Sequence, residues 1–347
     1  MTAVRGAQLW VAWVNSRGGV NGHQIRVLFY DDGGDPARHK SQVRDAVERH
    51  GVKGLFMNGE ALTGEPTLEY IHEKGIPVIG TDMAEAWAFR SPLYFVQASS
   101  DVALNYNVLN MLAGEIIPRG KRKLATIVCA EVQICTDADR FFAEKAKQVG
   151  FELVYRTKST LTQPDYTAEC LAASGAGAEA SIVYLDSNSL RRMAASCARQ
   201  GYRPILSSIS GIGVDDMKND PNLDNLLIAS NVFPYFQNDT PATAEFHQAF
   251  AQFGMGIAPS AGVATGWTAG KLLERAMGRI SEPPTTADLL RGLWSIRQDD
   301  LGGLTFPLTF EEGKPTPPTA CWFTITIQSG QWVSPDHNTR HCVPSPL

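Results

Sequence analysis

The sequence predicts an α/β fold in which parallel sheets are flanked by helices, arranged as two lobes. Three observations predict it. Short apolar runs alternate with amphipathic helical stretches along all 347 residues. The alternation breaks at Pro118-Arg119-Gly120 and restarts at Lys121. Hydrophobic residues make 44% and charged residues 19%, an ordinary globular balance in a chain long enough to bury a sizeable core.

The elements follow in order. Leu9, Trp10, Val11, Trp13 and Val14 give a helix over 6–16 a broad apolar face. Asn15 to Gly22 holds three glycines and two asparagines, which end that helix and turn the chain. Ile25, Val27 and Phe29 alternate with other residues as in a strand over 24–30 with one covered face. Asp35-Pro36 then opens a helix over 36–50, with Asp35 as N-cap and Pro36 in the first turn. Further strands are predicted at 53–57, 76–80, 123–129, 151–156, 180–185, 204–208 and 226–232, with a terminal hairpin of Trp322–Ile327 and Gln331–Val333. Further helices are predicted at 64–74, 101–117, 137–149, 165–175, 188–200, 240–253, 260–278 and 285–293.

Net charge is −5, from 31 basic and 36 acidic side chains, and no basic stripe appears, so nucleic acid is not an expected partner. No apolar run reaches the roughly 18 residues of a membrane span.

The six cysteines, Cys129, Cys135, Cys170, Cys197, Cys321 and Cys342, suit an oxidising compartment by their even count. Six cysteines allow 15 connectivities. Neighbour pairing is favoured. Cys129 and Cys135 flank a short loop, Cys170 and Cys197 fall on helices either side of the strand Ala180 to Leu185, and Cys321 and Cys342 bracket the terminal hairpin. Each bridge would contribute about 2–4 kcal/mol, least for the shortest loop. The rival reading is free buried thiols. Zinc is weaker still, since no Cys-x-x-Cys pair exists.

Motifs for chemistry fail one by one. Asp31-Asp32-Gly33-Gly34-Asp35 looks like the start of a calcium loop, but Gln42 stands where a bidentate Glu is needed, which leaves a solvated turn and a helix cap. Gly266-Trp267-Thr268-Ala269-Gly270-Lys271 has the wrong spacing for a phosphate loop and reads as a helix with small residues packed close. Gly211-Ile212-Gly213 lacks the third glycine of a dinucleotide loop, because Asp216 is there. No Gly-x-Ser-x-Gly elbow and no His-Glu-x-x-His pair occurs. His39, His50 and His72 sit among charges on predicted helices and are expected to be exposed. No catalytic residue, metal ligand or cofactor is assigned, and the chain is not expected to be an enzyme.

The run Gly6 to Pro36 resembles the start of type I periplasmic solute-binding proteins of the branched-chain amino-acid (Leu/Ile/Val) ABC-transporter receptor family. The resemblance continues through Gly75–Gly80, Asp165–Ala173, Ala198–Pro204, Gly266–Met277 and Gly302–Phe306. It implies the type I periplasmic binding-protein fold, two Rossmann-like lobes joined by a three-segment hinge. Lobe one would hold 1–119 and 238–306, and lobe two 121–235 and 320–347. Crossovers would lie near 118–121, 233–240 and 304–320, the last stiffened by Pro315, Pro317 and Pro318. In the family a strand precedes the first helix and a secretion signal precedes that strand. Neither is present before Gly6, so a truncated chain or a late start codon is expected, with a periplasmic or cell-surface location supplied by a signal sequence outside these residues. An ABC permease is the implied protein partner, and the receptor is expected to be a monomer.

Ligands of open α/β sheets bind at the carboxyl ends of the strands, so with two such lobes the loop tips are the places to search. The expected ligand-binding residues are Asn58, Gly59, Glu60, Ala61, Gly80, Thr81, Asp82 and Ala84 in lobe one. In lobe two they are Glu131, Gln133, Ile134, Asp186, Ser187, Ser210, Ile212 and Tyr235. Amino-acid binders of the resembled family hold the ligand carboxylate with hydroxyls and the ammonium with an acid. Ala61 and Ala84 occupy the hydroxyl positions here, and Ile212 the acid position. An ammonium buried without a partner is too costly, which points to a less polar, aliphatic or aromatic solute. Asp82, Glu60, Glu131 or Asp186 could supply a charge from another loop. Trp87, Tyr235 and Phe236 are candidate apolar walls, each also readable as core. The function expected is solute capture by hinge closure for an ABC importer. The alternatives are amino-acid binding in the same fold, and a ligand-sensing regulator built on it.

Overall fold

The computed structural model describes residues 2–58, 63–81, 86–278 and 284–344. The chain divides into two compact units. Unit 1 holds the chain up to Asp101 and Gln237–Thr319, and unit 2 holds Val102–Phe236 and the chain from Ala320.

Unit 1 opens with α1 (Thr2–Ser16), α2 (Pro36–Glu48), β1 (Leu55–Phe56), α3 (Leu68–Lys74), β2 (Val78–Ile79) and β3 (Tyr94–Phe95). Unit 2 follows with α4 (Asp101–Ile116), β4 (Lys123–Cys129), α5 (Gln133–Lys145), β5 (Glu152–Ser159), α6 (Thr167–Gly175), β6 (Ala180–Tyr184), α7 (Ser187–Arg199), β7 (Ile205–Ile209) and β8 (Leu227–Ser230). Unit 1 resumes with α8 (Pro241–Phe253), α9 (Ala261–Met277) and α10 (Thr286–Trp294), and unit 2 ends with β9 (Cys321–Gln328), β10 (Gln331–Val333) and β11 (Arg340–Cys342).

Unit 2 is built on an eight-stranded sheet ordered β10-β9-β8-β7-β6-β4-β5, with β11 also paired to β9. Its β4 to β8 pair in parallel, and β9 joins β8 antiparallel. β6 is buried at every residue and β4 at all but its first, which is why both read as continuous apolar runs rather than alternations. Three disulfides close here: Cys129–Cys135, Cys170–Cys197 and Cys321–Cys342.

The expected first crossover near 118–121 is corrected. Val108, Leu109, Leu112 and Ile116 of α4 pack into the core of unit 2 together with Leu124 and Ile127 of β4. Pro118-Arg119-Gly120 is therefore a turn inside that unit, closed by Gly120 in the left-handed conformation at φ 79°. The chain leaves unit 1 before α4, not after it.

Unit 1 has a much smaller sheet, β1-β2-β3, all parallel and two residues per strand. The strand expected at 24–30 is absent. No described strand supplies a ladder to it, and only the Asn15 side-chain amide bonds the Ile25 N–H and C=O, each at 2.8 Å. β3 was not predicted. α2 starts as its sequence demands, with the Asp35 carboxylate accepting from Ala37 and Arg38 N–H and Pro36 in the first turn. The Asp31–Asp35 stretch is a turn in which Asp31 and Asp32 accept from Gly33 and Gly34 N–H at 2.9 Å.

An ion-pair network binds α1 to α8 and α9. Glu245 accepts from the Trp13 indole at 2.9 Å, Arg17 at 3.0 Å and Lys271 at 3.0 Å, and Lys271 also reaches Glu274 at 2.8 Å. Burial alone would push the Glu245 carboxyl up, but the Trp13 N–H, Lys271 and Arg17 outweigh it and hold it below its ordinary 4.5. A lowered carboxyl stabilises the fold above about pH 4.5, and that share disappears as pH falls through the folded value. Glu245→Gln is expected to cost about 1–3 kcal/mol at pH 7. Its urea midpoint should converge on that of the parent chain as pH approaches 3, and a constant difference across pH 7 to 3 would show that the charge contributes nothing.

Candidate functional site

In unit 1 the carboxyl ends of β1, β2 and β3 carry polar groups held by side-chain hydrogen bonds. Asn58 follows β1, and its Oδ1 lies 3.0 Å from His39 Nε2, while His39 Nδ1 lies 2.8 Å from the Thr67 hydroxyl. His39 is only 4% exposed, so the expectation of a surface histidine is corrected. Its helix face looks onto the loop after β1 rather than onto water. Beside it the Thr63 hydroxyl donates to Asp32 at 2.6 Å. Burial would raise the Asp32 carboxyl, but Thr63, the Gly34 N–H and His39 together bring it below its ordinary value. Burial pushes the Tyr94 phenol well up, and Asn58 counters part of that rise.

After β2, Gly80 adopts φ 73°, and a Cβ there would fall 2.4 Å from the Ala269 Cβ of α9. Only glycine permits this approach. Thr81 is next, and Gln97 clamps its backbone. Gln97 Oε1 accepts from the Thr81 N–H and Gln97 Nε2 donates to the Thr81 C=O, both at 3.0 Å. Gln97 is held in turn by the Thr305 hydroxyl, which donates to its carbonyl at 2.7 Å. Gly59, Glu60, Ala61, Asp82 and Ala84 lie outside the described residues.

In unit 2 the expected residues occupy strand ends and helix starts, mostly in bracing roles. Glu131 accepts from the Ala130 N–H at 3.0 Å and the Leu161 N–H at 2.7 Å, holding two neighbouring loops together. Gln133 and Ile134 form the first turn of α5, which begins earlier than the sequence predicts. Gln133 donates to Asp137, and Ile134 packs on the core. Asp186 is the N-cap of α7, accepting from the Ser189 N–H at 2.8 Å. Ser187 donates to the Ile212 C=O at 2.7 Å, joining the loops after β6 and β7. Ser210 donates to the Asn231 side chain, joining those after β7 and β8.

Ile212 packs against the unit 2 core, and Tyr235 is buried with its ring 5.5 Å from that of Phe236. Trp87 belongs to a core cluster with Val43, Leu55 and Tyr70, and meets Tyr94 edge-on at 5.3 Å. Trp87 is thus core, and Tyr235 offers little surface as a wall.

The acids around these unit 2 loops are all engaged. Besides Glu131 and Asp186, Asp215 pairs with Lys218 and Asp216 pairs with Arg191. Among the described residues of these loops, no carboxylate is left without such a partner.

Gln97, His39 and Thr305 were not anticipated as site residues, whereas Thr63 falls in the loop after β1 that the sequence marks for inspection. For Gln97 a signal existed: the apolar run Leu93-Tyr94-Phe95-Val96 ends in Gln97, as a buried strand followed by its carboxyl-end loop would.

Among the described residues no helix is long and apolar enough to cross a membrane. Comparison with curated proteins finds no match. Among solved structures, the chain is similar to the branched-chain amino acid transporter substrate-binding protein LivJ of Streptococcus pneumoniae in complex with isoleucine. Identity is 15%, TM-score 0.75, and coverage 99% of this chain and 94% of that one. It is similar to a solute-binding protein of an R. palustris ABC transporter in complex with benzoate, at 13% identity, TM-score 0.73, and coverage 99% and 93%. It is also similar to a fatty acid ABC transporter substrate-binding protein of Thermomonospora curvata, at 18% identity, TM-score 0.71, and coverage 96% and 86%. The family model described as periplasmic binding protein matches residues 1–331. With the parallel sheets and helices already described, this match covers nearly the whole chain, and the protein belongs to the periplasmic binding protein family.

Proposed function

We propose that this solute-binding receptor captures a small, largely apolar aliphatic or aromatic solute without an α-ammonium group and delivers it to an ABC importer, with hinge closure as the capture step. The observation that carries the reading is the state of the acids. Glu131, Asp186, Asp215 and Asp216 are each committed to a backbone N–H or a cation, and Ile212 stands where an acid would face an ammonium. Among the described residues of the unit 2 loops, a cation brought there would meet only carboxylates already held by other donors. The neighbours named for benzoate and for fatty acid show that this fold accommodates such solutes in other proteins. Ligand contacts are assigned to Asn58, Gly80 and Thr81 of unit 1 and to Ser187, Ser210 and Ile212 of unit 2, at the carboxyl ends of their strands. An extracytoplasmic location agrees with the family and with three closed disulfides.

Calorimetry tests the reading with a panel of aromatic acids, aliphatic acids, their amides, and leucine, isoleucine and valine. The expected result is a binder among the acids or amides with a dissociation constant near or below about 10 μM, and amino acids weaker by at least about a hundredfold. A branched-chain amino acid as the tightest binder, or a folded protein that binds nothing in the panel, would overturn it.

A further inference from the structure

The chain makes its third crossing, from unit 1 to unit 2, between Thr319 and Ala320. On the unit 1 side the Thr316 hydroxyl donates to the Tyr94 C=O at 2.7 Å, which fixes that end to β3. Cys321 opens β9 on the unit 2 side. Only four residues lie between them, Pro317-Pro318-Thr319-Ala320, and the two prolines keep the segment stiff. The freedom of this crossover therefore depends on how firmly its unit 2 end is held.

β11 holds that end. It pairs antiparallel with β9, with Cys342 opposite Cys321, His341 opposite Trp322 and Arg340 opposite Phe323. The Val343 N–H donates to the Ala320 C=O at 3.0 Å. The alternation of antiparallel pairing then turns the Trp322 N–H toward β11 as well. The His341 ring stacks on Trp322 with centroids 5.7 Å apart, and it pairs with Asp336. Asn107 of α4 donates to the Cys321 C=O at 2.7 Å. Three residues make a short strand, and the Cys321–Cys342 bridge is the covalent tie that keeps it in place. That bridge differs from the other two in access. Cys342 is exposed, whereas none of the other five cysteines is more than 5% exposed. A disulfide is opened at a sulfur that a thiolate can reach.

We propose that Cys321–Cys342 is a thiol-sensitive clamp on this crossover: a dithiol opens it before the other bridges, β11 leaves β9, and the unit 2 end of the crossover loosens. The step is a thiol–disulfide exchange. One thiolate of the dithiol attacks the Cys342 sulfur. A mixed disulfide forms there, the Cys321–Cys342 bond breaks, and its electron pair leaves on Cys321, which takes up a proton. The second thiolate of the dithiol then attacks the dithiol's own sulfur in the mixed disulfide. Cys342 leaves as a thiolate and is protonated. The dithiol is oxidised to a disulfide, and the two cysteines are reduced to thiols. With the bridge open, Ala320 and Trp322 keep β11 only through a three-residue ladder and one stacked ring. The clamp acts whatever solute the receptor captures.

The test treats the folded 347-residue protein with graded dithiothreitol, quenches with iodoacetamide and locates the labels by mass spectrometry. Cys321 and Cys342 are expected to be labelled at least about tenfold faster than the other four cysteines. Hydrogen–deuterium exchange of the selectively reduced protein is then compared with that of the oxidised one. Exchange at Ala320, Trp322 and Val343 is expected to quicken at least about tenfold, with Ile182 and Val183 of β6 unchanged. Cys321→Ala combined with Cys342→Ala should reproduce this pattern without reductant, and the reduced parent supplies the comparison if that variant does not fold. Labelling of Cys129, Cys135, Cys170 or Cys197 at the same rate or sooner would overturn the proposal. Unchanged exchange at any of the three amides once Cys321 and Cys342 are reduced would overturn it too. So would equal quickening in β6, by showing that the bridge supports the whole of unit 2 rather than the crossover.

Discussion

Gly266→Ala is expected to destabilise unit 1 by about 3 kcal/mol or more, among the largest effects of any single methyl group in this protein. A Cβ at Gly266 would lie 2.0 Å from the Ala3 carbonyl oxygen and 2.6 Å from the Ala7 N, both backbone atoms of α1. No rotamer change relieves such a clash. α1 and α9 would have to separate along their whole contact, because Gly6 lies equally close to the Val263 carbonyl and Gly270 to the Trp10 ring. Trp10 and Trp267, both fully buried, would lose packing as the helices part. Gly114→Ala is the control. It sits exposed in α4 with nothing within 4 Å of a Cβ, so it should stabilise by about 0.5–1 kcal/mol through helix propensity. Urea unfolding of the two variants decides the matter, and a Gly266→Ala protein within about 0.5 kcal/mol of the parent would refute the packing account.

Removing the Cys170–Cys197 bridge, by alanine at both positions, should cost about 3 kcal/mol. The two sulfurs join α6 to α7 across 27 residues, the longest of the three loops. Cys321–Cys342 closes 21 residues and Cys129–Cys135 only 6, so the losses should rank in that order. The unfolded chain gains more freedom when a longer loop is released. All three bridges lie in unit 2. Reductant should therefore lower the unfolding temperature of that unit while leaving the α1–α9 packing and the Glu245 network of unit 1 untouched. Calorimetric scans with and without reductant provide the check. A Cys129–Cys135 deletion that costs more than Cys170–Cys197 would show that local strain, not loop closure, sets the contribution.

Strands covered on both faces left the clearest mark on the sequence. β4 and β6 are short, apolar and bounded by helices, and they lie where the pattern puts them. The segment 24–30 carries the same mark, but a strand needs a partner, and no described strand pairs with it. β3 was missed although Tyr94 and Phe95 lie in the apolar run Leu93-Tyr94-Phe95-Val96, the mark that a buried strand leaves. The turn at Pro118-Arg119-Gly120 shows the opposite error. A turn signal tells where the chain bends and not which core the next helix joins, and Val108, Leu109 and Leu112 settled that for α4.

The candidate site was legible only as a set of loops. Strand ends follow from topology, so Asn58, Thr81, Ser187 and Ser210 could be named in advance. Their partners could not. His39 meets Asn58 across 19 residues, and Thr305 meets Gln97 across 208, pairings no local pattern encodes. The order of helices and strands, the helix caps at Asp35 and the absence of catalytic motifs are local or compositional properties, and the amino-acid sequence alone determined them. Which glycines must stay glycine and which acids are already paired were decided by the tertiary structure, because each depends on atoms brought together from distant parts of the chain.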